Sequence, residues 1–363
     1  MPYLLIFIFT ILTSCIASKV TRDQIFTIHD SNYINAIGDT VSEMSNDLMI
    51  IYQDTKGMYW FGSNGDGVYR YNPDEKIRVS GKNIIHFSKR HGLSNDSICA
   101  IQEDKAGNIY LTTLDGICKY DGKIITQLTP VKSNEWKLTR DDLWFTGNQW
   151  KNGVYRYDGH TLYDLKFPRH EMEDELFQRT GPVPFDVNVA YIIYKNSKGN
   201  VLFGTSSFGV CIFDGTSFSW ISDDEMTFRK DAFGVRGILE DKDGKYWLSN
   251  SIHRYNIDIH KSPDGGQSIM TYSKEKGIQQ GLGEYSYFMS IAEDRSGDLW
   301  MLTYSGGVWR YDGENITHYP IMEDGKMVYL FTIYKDLQGD LWLGTHEHGV
   351  YKFNGNKFEK FRP

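Results

Sequence analysis

One motif recurs seven times along the 363-residue chain, and this self-similarity limits the fold more than any other feature. Its centre is a large residue within a short strand-forming run. Met58-Tyr59-Trp60-Phe61-Gly62 is the first copy, centred on Trp60. The corresponding centres are Tyr110, Trp144, Leu202, Trp247, Trp300 and Trp342. Ahead of most copies lies an apolar strand closed by Asp-x-x-Gly, as in Asp54 to Gly57, Asp104 to Gly107, Asp241 to Gly244, Asp294 to Gly297 and Asp336 to Gly339. Asn196 to Gly199 is the same turn with Asn. The first side chain can bond the turn backbone, and Gly accepts positive φ.

After the central strand a Gly opens a third strand, as in Gly67-Val68-Tyr69-Arg70-Tyr71, Gly153-Val154-Tyr155-Arg156-Tyr157 and Gly307-Val308-Trp309-Arg310-Tyr311. That strand usually ends in Asp-Gly or Asn-Gly, a strong hairpin signal. A short fourth strand follows, such as Ile84-Ile85-His86-Phe87. Four antiparallel strands in a unit of this size make one propeller blade. The sequence therefore predicts an all-β, seven-bladed β-propeller of four-stranded antiparallel blades over 47–363. The 24 Tyr, 20 Phe and 9 Trp suit such a core. A β-sandwich would not repeat one motif seven times, and a β-helix would use fewer hairpin turns. The Asp-rich turns lack the ligand series and final Glu of a calcium-binding EF-hand. No metal and no cofactor are expected.

The last copy carries the fullest motif: Asp336 to Gly339, Leu341-Trp342-Leu343-Gly344-Thr345, then Gly349-Val350-Tyr351-Lys352-Phe353. It resembles the two-component regulator propeller repeat, and the likeness runs from about Asp47 to Phe361. That family implies a periplasmic sensor propeller, often glycan-responsive, attached to a hybrid histidine kinase. No kinase, DNA-binding segment or membrane-spanning helix follows Phe361 in this sequence, so a separate sensor kinase or an envelope complex is the expected signalling partner. The repeat is also similar, more loosely, to the seven-bladed streptogramin lyase group, and this likeness assigns no catalytic residue in this sequence.

Leu4 to Leu12 form an apolar run of signal-peptide length, followed by Leu12-Thr13-Ser14-Cys15. Small residues before a Cys resemble a bacterial lipobox. The expectation is a signal peptide over 1–14, lipidation at Cys15, and an anchor and linker over 15–46. A periplasm-facing position in the bacterial envelope follows, with the membrane contacted through the lipid only. The net charge of −8 and the lack of a basic block argue against nucleic acid. Cys99, Cys118 and Cys211 show no metal-ligand or paired spacing.

Function on a repeat scaffold belongs where the regularity fails. With strands named A to D from the axis outward, the D–A and B–C loops share one face. Three D–A loops are long: Pro168 to Asp186, Ser222 to Ala232 and Ser273 to Ser286. Ligand-binding candidates on that face are Asn64, Asp115, Trp150, Arg169, His170, Phe208, Arg236, His253, Tyr304, His346, Glu347 and His348. Trp150 and Tyr304 could stack on a sugar or another ring. On an extended segment His346 and His348 would face the same way. Repeat three lacks the Asp-x-x-Gly turn, with its A strand expected near Trp136 to Thr139. Repeat five has Ser251-Ile252-His253 where a Gly is expected.

No serine nucleophile elbow, P-loop or HExxH motif is present. The function expected first is non-catalytic, sensor-like capture of a small molecule, glycan or protein. The alternatives are a lyase or hydrolase using His and carboxylates on the irregular face, and a scaffold subunit of an envelope complex.

Overall fold

A computed structural model describes residues 33–35, 38–74, 83–147, 152–181, 188–230, 234–260, 267–278 and 287–363. Cys15 and Trp150 lie outside these residues.

The repeated motif folds as a hydrogen-bonded unit. In the first turn, Oδ1 of Asp54 accepts the backbone N–H groups of Lys56 and Met58, and Oδ2 accepts the Trp60 indole N–H at 2.8 Å. The same i to i+6 bond joins Asp241 to Trp247, Asp294 to Trp300 and Asp336 to Trp342. In repeat two, Asp104 accepts from the Tyr110 hydroxyl instead. One carboxylate thus closes the A–B turn and satisfies a buried ring donor.

A second staple lies at the other end of the B strand. Ser63, Thr113, Thr205, Thr303 and Thr345 each donate a hydroxyl to the carbonyl of the Gly that opens strand C. That Gly is required by space as well as by φ. A Cβ on Gly67, at φ 71, would sit 2.0 Å from the Phe87 carbonyl oxygen.

Repeat one is Leu48–Gln53, Tyr59–Ser63, Val68–Tyr71 and Ile84–Phe87. Repeats two, four, five, six and seven place their strands the same way, each antiparallel to the next. The apolar core lies between repeats rather than within them. Trp60, Val68 and Phe87 of repeat one pack with Ile98, Leu111 and Cys118 of repeat two. Leu48, Phe61 and Tyr69 pack with Trp342 and Val350 of repeat seven, so first and last repeats share a core. The Leu48 to Thr345 pair joins their sheets and closes the ring.

Three departures from the expected blade appear. The stretch read as linker supplies two edge strands: Asp39–Val41 on repeat one and Tyr33–Asn35 on repeat two. Covering an outer edge removes its unpaired backbone groups. Repeat five extends its outer hairpin to His253–His260 and Ile269–Lys276, so the first part of the expected third long loop is strand.

Repeat three departs most. Its sheet is Leu143–Thr146, Val154–Tyr157 and Leu162–Leu165, with Pro130–Ser133 added in parallel on the outside. Among the described residues no inner strand precedes Leu143. Trp136, expected near that strand, instead packs between repeats three and four against Trp144, Phe167, Phe203, Phe213 and Phe218. Aromatic burial holds this segment outward, and no Asp-x-x-Gly turn exists to fold it back. A buried ion pair, Arg156 Nε to Asp142 Oδ2 at 2.8 Å, leads into the strand Leu143–Thr146, as Arg310 with Asp298 does into the matching strand of repeat six.

Candidate functional site: an axial cavity

The inner strands run from the loop face to the turn face, and repeat three leaves a gap among them. There the axis widens into a cavity of about 540 Å³ that touches all seven repeats. Ile50, Gln102, Trp144, Tyr191, Arg236 and Phe331 are among its walls. Gln102 donates its side-chain amide to the Trp144 carbonyl at 2.8 Å, partly covering the exposed strand edge. The Trp144 indole N–H is buried and has no acceptor among the described residues. Its counterparts use the turn Asp, which repeat three lacks.

Arg236 is placed by an irregularity of repeat five. Ser249 takes a left-handed φ of 52, and its Oγ accepts the backbone N–H groups of Arg236 at 2.7 Å and Gly237 at 2.8 Å. The Arg236 guanidinium then lies over the Tyr191 ring, 3.7 Å from its centroid. Burial pushes the Tyr287 hydroxyl up to about 12, with the Arg236 charge acting in the opposite direction.

The long-loop sector is built around an anchor. The His170 ring stacks on Phe208 at 4.5 Å and meets the Trp220 edge at 4.6 Å. Its Nδ1 accepts the Met172 N–H, and its Nε2 lies 3.0 Å from Ser222 Oγ. Both nitrogens are thereby occupied and the ring is 4% exposed. His170 and Phe208 therefore fix the loop that leads into the helix Glu173–Thr180. Arg169 pairs with Asp174 and Glu173 of that helix.

The other sequence candidates are scattered. Asn64 and Asp115 are exposed; Asn64 bridges to Ser97, and Asp115 accepts from Asn95 at 2.8 Å. Tyr304 stacks on Tyr329 at 4.9 Å, and both are nearly half exposed. His346 meets Tyr304 and Phe331 edge-on and lies 3.4 Å from Asp47. Glu347 has a φ of 65, which breaks the extended alternation expected here. His348 consequently takes a different partner, its Nδ1 lying 3.0 Å from the His346 carbonyl. The two rings do not form a ligand pair.

His253 belongs to the described residues' one grouping of metal-ligating type, with Asp223 and Glu225, all donor atoms within 4.8 Å. The Lys274 ammonium occupies this grouping, 2.8 Å from Asp223, and Tyr255 donates to the same carboxylate. Lys274 and neighbouring hydrogen bonds outweigh burial and hold Asp223 below the usual carboxylate range. The arrangement already carries its own cation.

Of the cavity residues, sequence reasoning named Arg236 and missed Gln102, Trp144 and Tyr191. The missing turn of repeat three was the available signal, because a lost turn implies a lost inner strand.

No protein-family model matches the chain, and no curated protein matches it. Solved structures do. The extracellular domain of the hybrid two-component system protein BT4673 from B. thetaiotaomicron is 20% identical, with a TM-score of 0.55, over 86% of this chain and 39% of that one. Streptogramin B lyase is 12% identical, with a TM-score of 0.58, over 90% of this chain and 98% of that one. The WD40 β-propeller domain of Doa1 is 10% identical, with a TM-score of 0.53, over 89% and 97%. The fold is a β-propeller. Both resemblances drawn from the repeat have counterparts among these structures. The chain spans about two-fifths of the length of the two-component extracellular domain.

Proposed function

We propose that this propeller is a lipid-anchored, extracytoplasmic module that captures a ligand without transforming it, as a sensor domain does. The axial cavity carries this reading. Its volume lies within the roughly 300–1,000 Å³ usual for small-molecule sites. Its walls mix apolar strand residues with a few polar groups from different repeats. The likeness to extracellular domains of two-component proteins supports an extracytoplasmic sensor role, and no described helix is long and apolar enough to cross a membrane.

The test is a thermal-shift and calorimetric screen of small metabolites and oligosaccharides against wild type and Ala100→Trp, which narrows the cavity. Binding that Ala100→Trp abolishes while the fold persists supports the reading. Binding that Ala100→Trp leaves unchanged, or no binding at all, sinks it.

The lyase or hydrolase reading has one observation of its own, the His346–Asp47 pair beside Tyr304 on the loop face. Turnover of a screened compound, lost in His346→Ala, would favour it.

A further inference from the structure

We infer that the axial cavity takes a ligand bearing a carboxylate, held by the Arg236 guanidinium. This inference rests on the binding reading above and names the chemistry of that site.

Arg236 is partly buried in the cavity wall, and none of the described carboxylates pairs with it. Three arginines of the third strands differ from it in this respect. Arg156 pairs with Asp142, Arg254 with Asp241 and Asp243, and Arg310 with Asp298. A guanidinium withdrawn from water favours a counter-charge. The guanidinium lies over the Tyr191 ring, 3.7 Å from its centroid, and also bonds the Tyr287 side chain, so its position in the wall is fixed. A guanidinium is suited to pairing with a carboxylate.

A second observation points the same way. Ser290 adds a hydroxyl whose oxygen already accepts the Ile333 N–H, so its proton is available to donate. Two cations line the cavity, Arg236 and Lys195, and the Lys195 ammonium already donates to the Arg140 carbonyl at 2.6 Å. The carboxylate in its wall, Asp142, is neutralised by Arg156.

The experiment titrates the full chain with benzoate, succinate and galacturonate by calorimetry. Methyl benzoate, succinamide and galactose are the neutral counterparts, and inorganic phosphate and sulfate form the competing oxyanion arm. At least one carboxylate is expected to bind, its neutral counterpart more weakly. Arg236→Gln should lower that affinity by roughly 10- to 100-fold, and Arg236→Lys by less. On wild type, the bound carboxylate should protect Arg236 from phenylglyoxal, which keeps the idea testable if Arg236→Gln fails to fold.

Neutral compounds binding in the cavity while carboxylates do not would overturn this inference and leave the binding reading standing. Phosphate or sulfate outcompeting every carboxylate would overturn it. So would carboxylate binding that Arg236→Gln leaves unchanged.

Discussion

Trp342 donates its indole N–H to Asp336 Oδ2 at 2.8 Å, and Tyr59 of the first repeat donates its hydroxyl to the same oxygen at 2.7 Å. One carboxylate therefore serves its own turn, its own core ring and the neighbouring repeat. Asp336 Oδ1 also accepts the Asp340 N–H. Asp336→Ala leaves these donors buried without an acceptor and should cost about 3–5 kcal/mol. Trp342→Ala should cost about as much, roughly 3–5 kcal/mol, by opening the core between repeats seven and one. Urea unfolding measures both. A near-wild-type midpoint for either would mean that this joint does not carry the ring closure.

Trp144 supplies the contrast. Its ring packs against Trp136 and Phe203, but its indole N–H has no acceptor among the described residues. Trp144→Phe removes an orphan donor and keeps most of the ring contact, so stability should stay within about 1 kcal/mol of wild type. Trp342→Phe breaks a buried bond and frees Asp336 from one partner, so it should cost about 1–3 kcal/mol more. Equal losses in the two variants would show that the indole bond contributes nothing.

The regular part of the fold was legible because its rules are local. The bond from Asp54 to Trp60 spans six residues and depends on one turn type. The cavity was not legible because it depends on a negative fact, that the chain near Trp136 does not return to the axis. Trp136 stays outside because rings from two repeats surround it, and those rings lie as far along the chain as Phe213 and Phe218. Arg236 was named for its face alone. Its position against Tyr191 depends on the left-handed Ser249, a conformation that sequence seldom announces for a residue other than Gly. Glu347 misled for the same reason, since an extended segment there would have aligned His346 with His348. His170 and Phe208 were both named as ligand candidates, yet they pair with each other.

Lipidation concerns residues outside the described part, and the sequence supplies the test. If the thiol of Cys15 carries the anchor, Cys15→Ala should leave the protein in the soluble fraction after detergent-free washing. Each buried acyl CH₂ contributes roughly 0.8 kcal/mol, so a lipidated wild type should stay with the membrane. Membrane retention of Cys15→Ala would remove the anchor from the proposed function.

His170 gives the helix Glu173–Thr180 a pH-sensitive attachment. Its Nδ1 accepts the Met172 N–H, which requires that nitrogen to be unprotonated. Burial lowers its pKa from 6.5; Glu171 and Glu173 oppose the shift, and Arg229 adds to it. The unfolded loop takes up a proton near the ordinary value, whereas the folded loop resists protonation. Stability from the neutral ring is therefore fully present above about pH 6.5 and lost as pH falls through the lower folded value. Limited proteolysis of the 168–181 segment should accelerate on acidification below about pH 6.5. His170→Phe keeps a ring between Phe208 and Trp220 but cannot titrate, so its cleavage rate should change less over that range. Equal pH dependence in wild type and His170→Phe would place the sensitivity in another group.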